Sequence, residues 1–348
     1  MNQGELPGGP IMTRHAAIIS TGRYVPEIEV SNDVLRARFA DSAPDFVDKM
    51  EERTGIRTRF YAPDDWASSD LAAKAGEQAL KRAGLSASDL DLIIVGTDSP
   101  DYITPSTSVV VQHKLGAKNA GTFDIGCACA SFPTGLATGH GFISTHPSMR
   151  NILVLGVYMM HRLADPNDPM VFFYGDAGCA AILQPSNEPG IMGAAFRADG
   201  SYAKHWGIMA GGTVEPASHE AIDAGRTQVR VVERYPPEIN DVGWPALVRA
   251  LMANHQFTAE DIDLAVFTQV RKPTIELVAE TLGIPIERCP MIMDKWGYTG
   301  SACIGLALDD AAMKGVINPG MLAILVGSGV GYNQAAVAVR FTQAFRTR

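Results

Sequence analysis

The sequence predicts an α/β protein built from two similar halves, and three observations carry that prediction. Short, wholly apolar segments, Leu92–Val95 and Ile152–Val157, alternate with stretches of helical spacing. That is the pattern of parallel strands covered on both faces. The run that starts at Ser86, SASDLDLIIV, returns at Thr258 as TAEDIDLAVF. In each, a capping residue and an acidic turn precede an apolar strand. Gly135-Leu136-Ala137 returns as Gly305-Leu306-Ala307 at nearly the same separation, roughly half of the chain. Two matches at one offset indicate an internal duplication, since solenoid repeats run to roughly 20–50 residues. Two halves of alternating strand and helix, packed about a pseudo-twofold axis, are the physical expectation.

The elements follow in order. Residues 1–13, MNQGELPGGPIMT, are polar and Gly/Pro-rich, with no apolar core for a signal peptide, and read as a disordered or appended leader. Ala16–Ser20 is a strand. Ser31 caps a helix through Val34–Phe39. Pro44–Glu52 is a second helix, with proline where a first turn tolerates it and Gly55 beyond its end. Ser69–Ala83 carries Leu71, Ala72, Ala75, Ala79 and Leu80 at helical spacing, and Gly84 ends it. Phe172–Tyr174 and Ala180–Leu183 read as a hairpin across Gly175-Asp176. In the second half, Ala246–Asn254 is a helix, and Leu322–Val326 with Ala335–Phe341 is the closing hairpin. The halves are expected to span residues 14–185 and 186–348.

Size and composition narrow the function classes. The 348 residues allow one large domain or two ordinary ones, with 46% hydrophobic and 19% charged residues. A net charge of −9 and a pI near 5.4 do not favour nucleic acid or an anionic membrane. Five cysteines, an odd number set mostly in apolar runs, fit a reducing, cytoplasmic compartment rather than a disulfide scaffold. No apolar run is long enough to span a bilayer. No metal-ligand spacing, P-loop or dinucleotide fingerprint is present.

The chemistry centres on Gly121–Gly139, GTFDIGCACASFPTGLATG. Cys129 falls where a strand turns into a small-residue helix. A thiol at the positive end of a helix dipole is pushed towards the nucleophilic thiolate. The crowding of Gly, Ala and Ser predicts a helix enclosed on all sides. The plain alternative is a core cysteine.

Taken together, six motifs resemble the thiolase superfamily, and within it β-ketoacyl-acyl carrier protein synthase III. They are Thr21-Gly-Arg-Tyr-Val-Pro, Arg53-Thr-Gly-Ile-Arg, Asp124-Ile-Gly-Cys-Ala-Cys-Ala-Ser-Phe, Gly175-Asp-Ala-Gly-Cys-Ala-Ala, Asp199-Gly-Ser-Tyr and Gly327-Ser-Gly-Val-Gly. The resemblance covers nearly everything from Ala16 to Phe341. It implies duplicated βαβαβαββ halves in five layers, αβαβα, and a homodimer. It implies that Cys129 takes an acyl group from coenzyme A or an acyl carrier protein. The oxyanion would be held by the N–H groups of Cys129 and Gly331, with Val330 stiffening the loop where the family usually has glycine. It implies no prosthetic group; a coenzyme A or phosphopantetheine thioester is the substrate.

Two departures alter the expected chemistry. The family's catalytic His aligns with Thr268 and its Asn with Tyr298, while Gln269, Leu282, Gly283, Gly297 and Thr299 stay in register. A threonine donates a hydrogen bond but takes up no proton near neutral pH. Tyr298 donates through a phenol whose unperturbed pKa is roughly 10. The site keeps two donors and lacks the usual general base. His205, in the loop after Asp199-Gly-Ser-Tyr, is the candidate imidazole from elsewhere; a solvated loop histidine is the alternative. Arg53 and Arg162 align with positions that meet the nucleotide and phosphates of coenzyme A, or are solvated arginines. Lys49 stands where the family stacks an aromatic on adenine, with Phe46 the nearest ring. Arg271 and Lys272 would meet an acidic carrier protein, or simply solvate a helix start.

Three functions follow. One is condensation of an acyl-Cys129 thioester with malonyl-acyl carrier protein, as in fatty acid or secondary metabolite synthesis. Another is transfer of the acyl group to an oxygen, nitrogen or sulfur acceptor without decarboxylation. The third is a non-catalytic subunit that binds acyl carrier protein beside a catalytic homologue.

Overall fold

A computed structural model describes residues 14–347. The expected leader, 1–13, lies outside the described residues. Two sheets form the frame. The first contains β1 (His15–Tyr24), β2 (Leu92–Gly96), β3 (Gly121–Ile125), β4 (Ile152–Tyr158) and β5 (Ala177–Ser186), in the order β1-β5-β4-β2-β3. The second contains β6 (Ile191–Ala198), β7 (Ile262–Phe267), β8 (Leu322–Gly329) and β9 (Asn333–Arg340), in the order β7-β8-β9-β6. The order is the same in both once β3 is set aside, with parallel pairs β2·β4 and β7·β8 and antiparallel pairs β4·β5 and β8·β9. The stretch that matches β3 in the second half, Cys289–Ile292, runs as a loop.

The helices are α1 (Asn32–Arg38), α2 (Phe46–Thr54), α3 (Ser68–Ala83), α4 (Thr107–Leu115), α5 (Ser131–Thr145), α6 (Ile239–His255), α7 (Lys272–Leu282) and α8 (Cys303–Met313), with shorter turns between. Helices α3 and α4 cover the outer face of the first sheet, α6 and α7 that of the second, and α5 and α8 lie between the sheets. The result is the five-layer thiolase-like arrangement. The central layer is an apolar cluster that joins Ile94 and Val154 of the first sheet to Val266 and Leu325 of the second through Phe132, Leu136, Leu306 and Ala307.

Local sequence explains most boundaries. Ser31 Oγ accepts from the Val34 N–H to open α1, and Gly55 and Gly84 close α2 and α3 in the left-handed conformation. The duplicated turns close in the same way, with Asp89 accepting from the Ser86 N–H and Asp261 from that of Thr258. Three expectations change. Phe172 ends a short 3₁₀ turn, and β5 pairs instead with β4 and β1, because its apolar run extends to both neighbours. Helix α6 is longer than expected and takes Pro245 within it. Helix α5 is not enclosed on all sides: Gly141 is exposed and Ala137 and Thr138 half-buried, whereas α8 is buried from Cys303 through Ala312. The second copy of the small-residue helix is the one sealed between the layers.

Candidate active site

Cys129 sits where β3 is turned into α5. Ala128 adopts a left-handed φ of 46° in a 3₁₀ turn, and Ser131 Oγ accepts from the Cys127 N–H at 2.9 Å. The turn rests on β8, and glycine makes that approach feasible. A Cβ on Gly327 would come within 2.6 Å of the Cys129 carbonyl oxygen, and one on Gly329 within 2.0 Å of that of Cys127. The Gly327-Ser-Gly motif is therefore a seat for the cysteine turn.

The expected partners converge on Cys129 through Tyr298. The Tyr298 N–H donates to the Phe173 oxygen at 2.8 Å, and its carbonyl accepts from the Gly175 N–H at 2.9 Å. Held at both ends, Tyr298 places Oη in hydrogen-bond contact with Cys129 Sγ. Thr268 is anchored by its N–H on Val326, and its Oγ1 accepts from the Ser328 N–H at 2.9 Å. Thr268 and Tyr298 line one cavity of about 180 Å³, with Arg271 and Asn240. A second cavity, of about 260 Å³, is lined by Tyr298, Tyr158, Trp206 and Asp98. Cys129 itself is 2% exposed and lines neither; Tyr298, which its sulfur touches, lines both.

Burial dominates the electrostatics. It pushes the Cys129 thiol well above its ordinary value, the Asp98 charge adds to that, and the Tyr298 hydrogen bond lowers it again in part. Desolvation of the sulfur thus works against the thiolate that the helix terminus was expected to favour. Tyr298 is pushed well above the usual phenol range, first by burial and then by Cys129, so it stays a neutral donor.

The other expected residues fall into place less completely. The Gly331 N–H donates to Tyr235 Oη at 3.3 Å, so the second oxyanion donor is already engaged. Arg53 is exposed at the end of α2. Arg162 holds Asp64 Oδ1 and the Asp64 carbonyl, each at 2.8 Å, beside a groove with Trp66. Neither arginine lines the cavities at Tyr298; Arg271 does. His205 stacks on Tyr235 at 5.4 Å and faces Glu233 at 3.8 Å, and among the described residues no imidazole lines either cavity. Gln269 bridges Phe267, Pro290 and Ile292 as a brace for the Thr268 loop. Phe46 packs edge-on against Phe172.

Sequence reasoning missed Asp98, the one carboxylate among the described residues that line these two cavities. Ser301 Oγ donates to its Oδ1 at 2.9 Å, and burial raises its carboxyl to about 6. The signal was present: an acid just past the C-terminal end of an apolar parallel strand, where α/β sheets place ligands.

This geometry can be set beside known proteins. The model of 3-oxoacyl-[acyl-carrier-protein] synthase III matches residues 123–200, and that of its C-terminal region matches residues 252–341. In both halves the chain is similar to the synthase III branch of the thiolase superfamily. The branch consists of acyl-transferring condensing enzymes that use acyl-coenzyme A and acyl carrier protein. A 3-oxoacyl-[acyl-carrier-protein] synthase III from Aquifex aeolicus VF5 is 27% identical, over 94% of this chain and 100% of that one, with a TM-score of 0.81. The priming β-ketosynthase of the R1128 polyketide pathway is 27% identical, over 98% and 99%, at 0.84. OleA of Xanthomonas campestris, at 18% identity and 0.78, shares the fold. Among the described residues, no helix is long and apolar enough to cross a membrane.

Proposed function

We propose that this chain transfers an acyl group through a thioester on Cys129 to an acceptor, without decarboxylation. The donor is an acyl-coenzyme A or acyl-carrier-protein thioester, and no prosthetic group is involved. As the sulfur attacks the carbonyl, its proton passes by way of Tyr298 Oη to the departing thiol. The observation that carries this reading is the contact between the Tyr298 phenol and Cys129 Sγ, with Thr268 on the adjoining cavity. Two hydroxyl donors suit polarisation of a thioester. They do not suit the enolate left by malonyl decarboxylation, for which loss of a placed acid–base group costs roughly 10²- to 10⁴-fold. Exposed Arg271, at the start of α7, suits an acidic carrier protein. A cytoplasmic homodimer belongs to the same reading.

Intact-mass spectrometry after incubation with acyl-coenzyme A or acyl-carrier protein tests the proposal. We expect one acyl adduct, lost in Cys129→Ala, and little carbon dioxide from malonyl-carrier protein. Thr268→His with Tyr298→Asn should raise that release. Strong release by the natural chain would return the condensing reading. The burial of Cys129 against Tyr298 favours the other class, a carrier-protein-binding subunit. No adduct with any donor would decide for it.

A further inference from the structure

The cavity that holds Asp98 is ill suited to a plain alkyl chain. Its walls include Tyr158, Met160, Trp206, Ile208 and Val330, and Asp98 is its one charged group among the described residues. Asp98 is half-buried and lines this cavity. Ser301 is its side-chain partner, and no cationic side chain among the described residues offsets its charge. A carboxylate partly withdrawn from water, with no counter-charge, is costly. An alkyl group that displaced the cavity water would raise that cost, which makes the cavity select against such a group.

We infer that the group occupying this cavity carries a basic nitrogen, held as an ammonium against Asp98 and beside the rings of Tyr158 and Trp206. Aromatic walls with one carboxylate are the chemistry that recognises an ammonium. The inference rests on the acyl-Cys129 reading and names its substrate class. The nitrogen belongs either to the acyl donor or to the acceptor. In the donor it takes no part in bond exchange. In the acceptor the ammonium gives one proton to Asp98, and the free amine attacks the thioester carbon. The C–N bond forms as the C–S bond breaks, and the second proton goes to the Cys129 sulfur. Occupancy also acts on the nucleophile. The Asp98 charge is one of the causes that hold the Cys129 thiol up, and an ammonium beside it offsets that cause.

The experiment compares β-alanyl- and butanoyl-coenzyme A, which are equal in length, as donors to the full chain, with Cys129 loading followed by intact mass. Butanoyl-loaded protein is then offered n-butylamine or n-butanol. We expect one of two outcomes. Either β-alanyl loads at least about tenfold faster than butanoyl, or transfer to n-butylamine is at least about tenfold faster than in Asp98→Asn. Asp98→Asn and Asp98→Leu should abolish the preference in the arm concerned. Equal ratios in the natural chain and both variants would overturn the inference and leave the acyl-Cys129 reading intact. Failure of every thioester to load would overturn that reading instead. In that case the melting temperature decides: n-butylammonium should raise it in the natural chain and not in Asp98→Asn, and equal shifts would reject the amine site.

Discussion

At the scale of single residues, the site is governed by desolvation. Cys129 and Tyr298 share a place from which water is nearly excluded, so both stay neutral at pH 7. Alkylation of Cys129 by iodoacetamide should therefore still be climbing at pH 9, where an ordinary thiol, titrating near roughly 8.5, is mostly ionised. A plateau below pH 8 would contradict the burial argument. Asp98 gives the opposite kind of signature, one of stability. Its folded pKa of about 6 lies above the unfolded value of roughly 3.9. The unfolded chain thus releases this proton first as pH rises. The folded state loses stability between about pH 4 and 6, by up to about 3 kcal/mol, and the loss persists above. Asp98→Asn should raise the urea midpoint at pH 7 and leave it unchanged at pH 4. An equal shift at both pH values would mean that the carboxylate carries no such strain. Cys129, Thr268 and Tyr298 were all legible as positions from motif register. Their ionisation was not, because it depends on which chain segments exclude water from them.

At the scale of elements, the two small-residue helices illustrate how a repeat diverges. Their shared Gly-Leu-Ala is plain in the sequence, but the degree of enclosure is not. A Cβ on Gly305 would lie 2.3 Å from Cys179 Sγ, whereas one on Gly141 would meet nothing within 4 Å. Gly305→Ala should destabilise the protein by about 1–3 kcal/mol through overpacking. Gly141→Ala, in an exposed helical position, should stabilise it by about 0.5–1 kcal/mol. Denaturant midpoints measure both, and equal shifts would mean that the two helices are packed alike. Strands such as β2 and β4 were readable because an apolar run covered on both faces has few other solutions. The supposed hairpin at Phe172–Tyr174 misled, because partner choice in a sheet depends on distant strands as well as on the nearest turn.

At the scale of the whole molecule, a buried charge cluster ties the first sheet to the central layer. Asp309 of α8 accepts from Thr21 Oγ1 at 2.7 Å, pairs with Arg23 at 3.1 Å and binds Arg82 of α3. Beside it, Asp310 pairs with Lys295 and Lys314, each at 2.8 Å. Asp309→Ala leaves Arg82 without a counter-charge and Arg23 with Asp310 alone, at 3.5 Å, and should cost about 3–5 kcal/mol. A thermal transition within 1–2 °C of the natural chain's would show that the cluster is dispensable. These groups lie far apart in the chain, and nothing in local pattern joins them.

The sequence by itself determined the α/β class, the duplication and the cysteine turn. Each of these is a matter of local periodicity or register, which neighbouring residues dictate. The tertiary structure alone decided that the Tyr298 phenol touches the sulfur, that α8 rather than α5 is the sealed helix, and that Asp98 faces the second cavity without a counter-charge. Those outcomes depend on how closely distant segments approach and how much water they expel. Desolvation of that kind has no periodicity for a sequence to display.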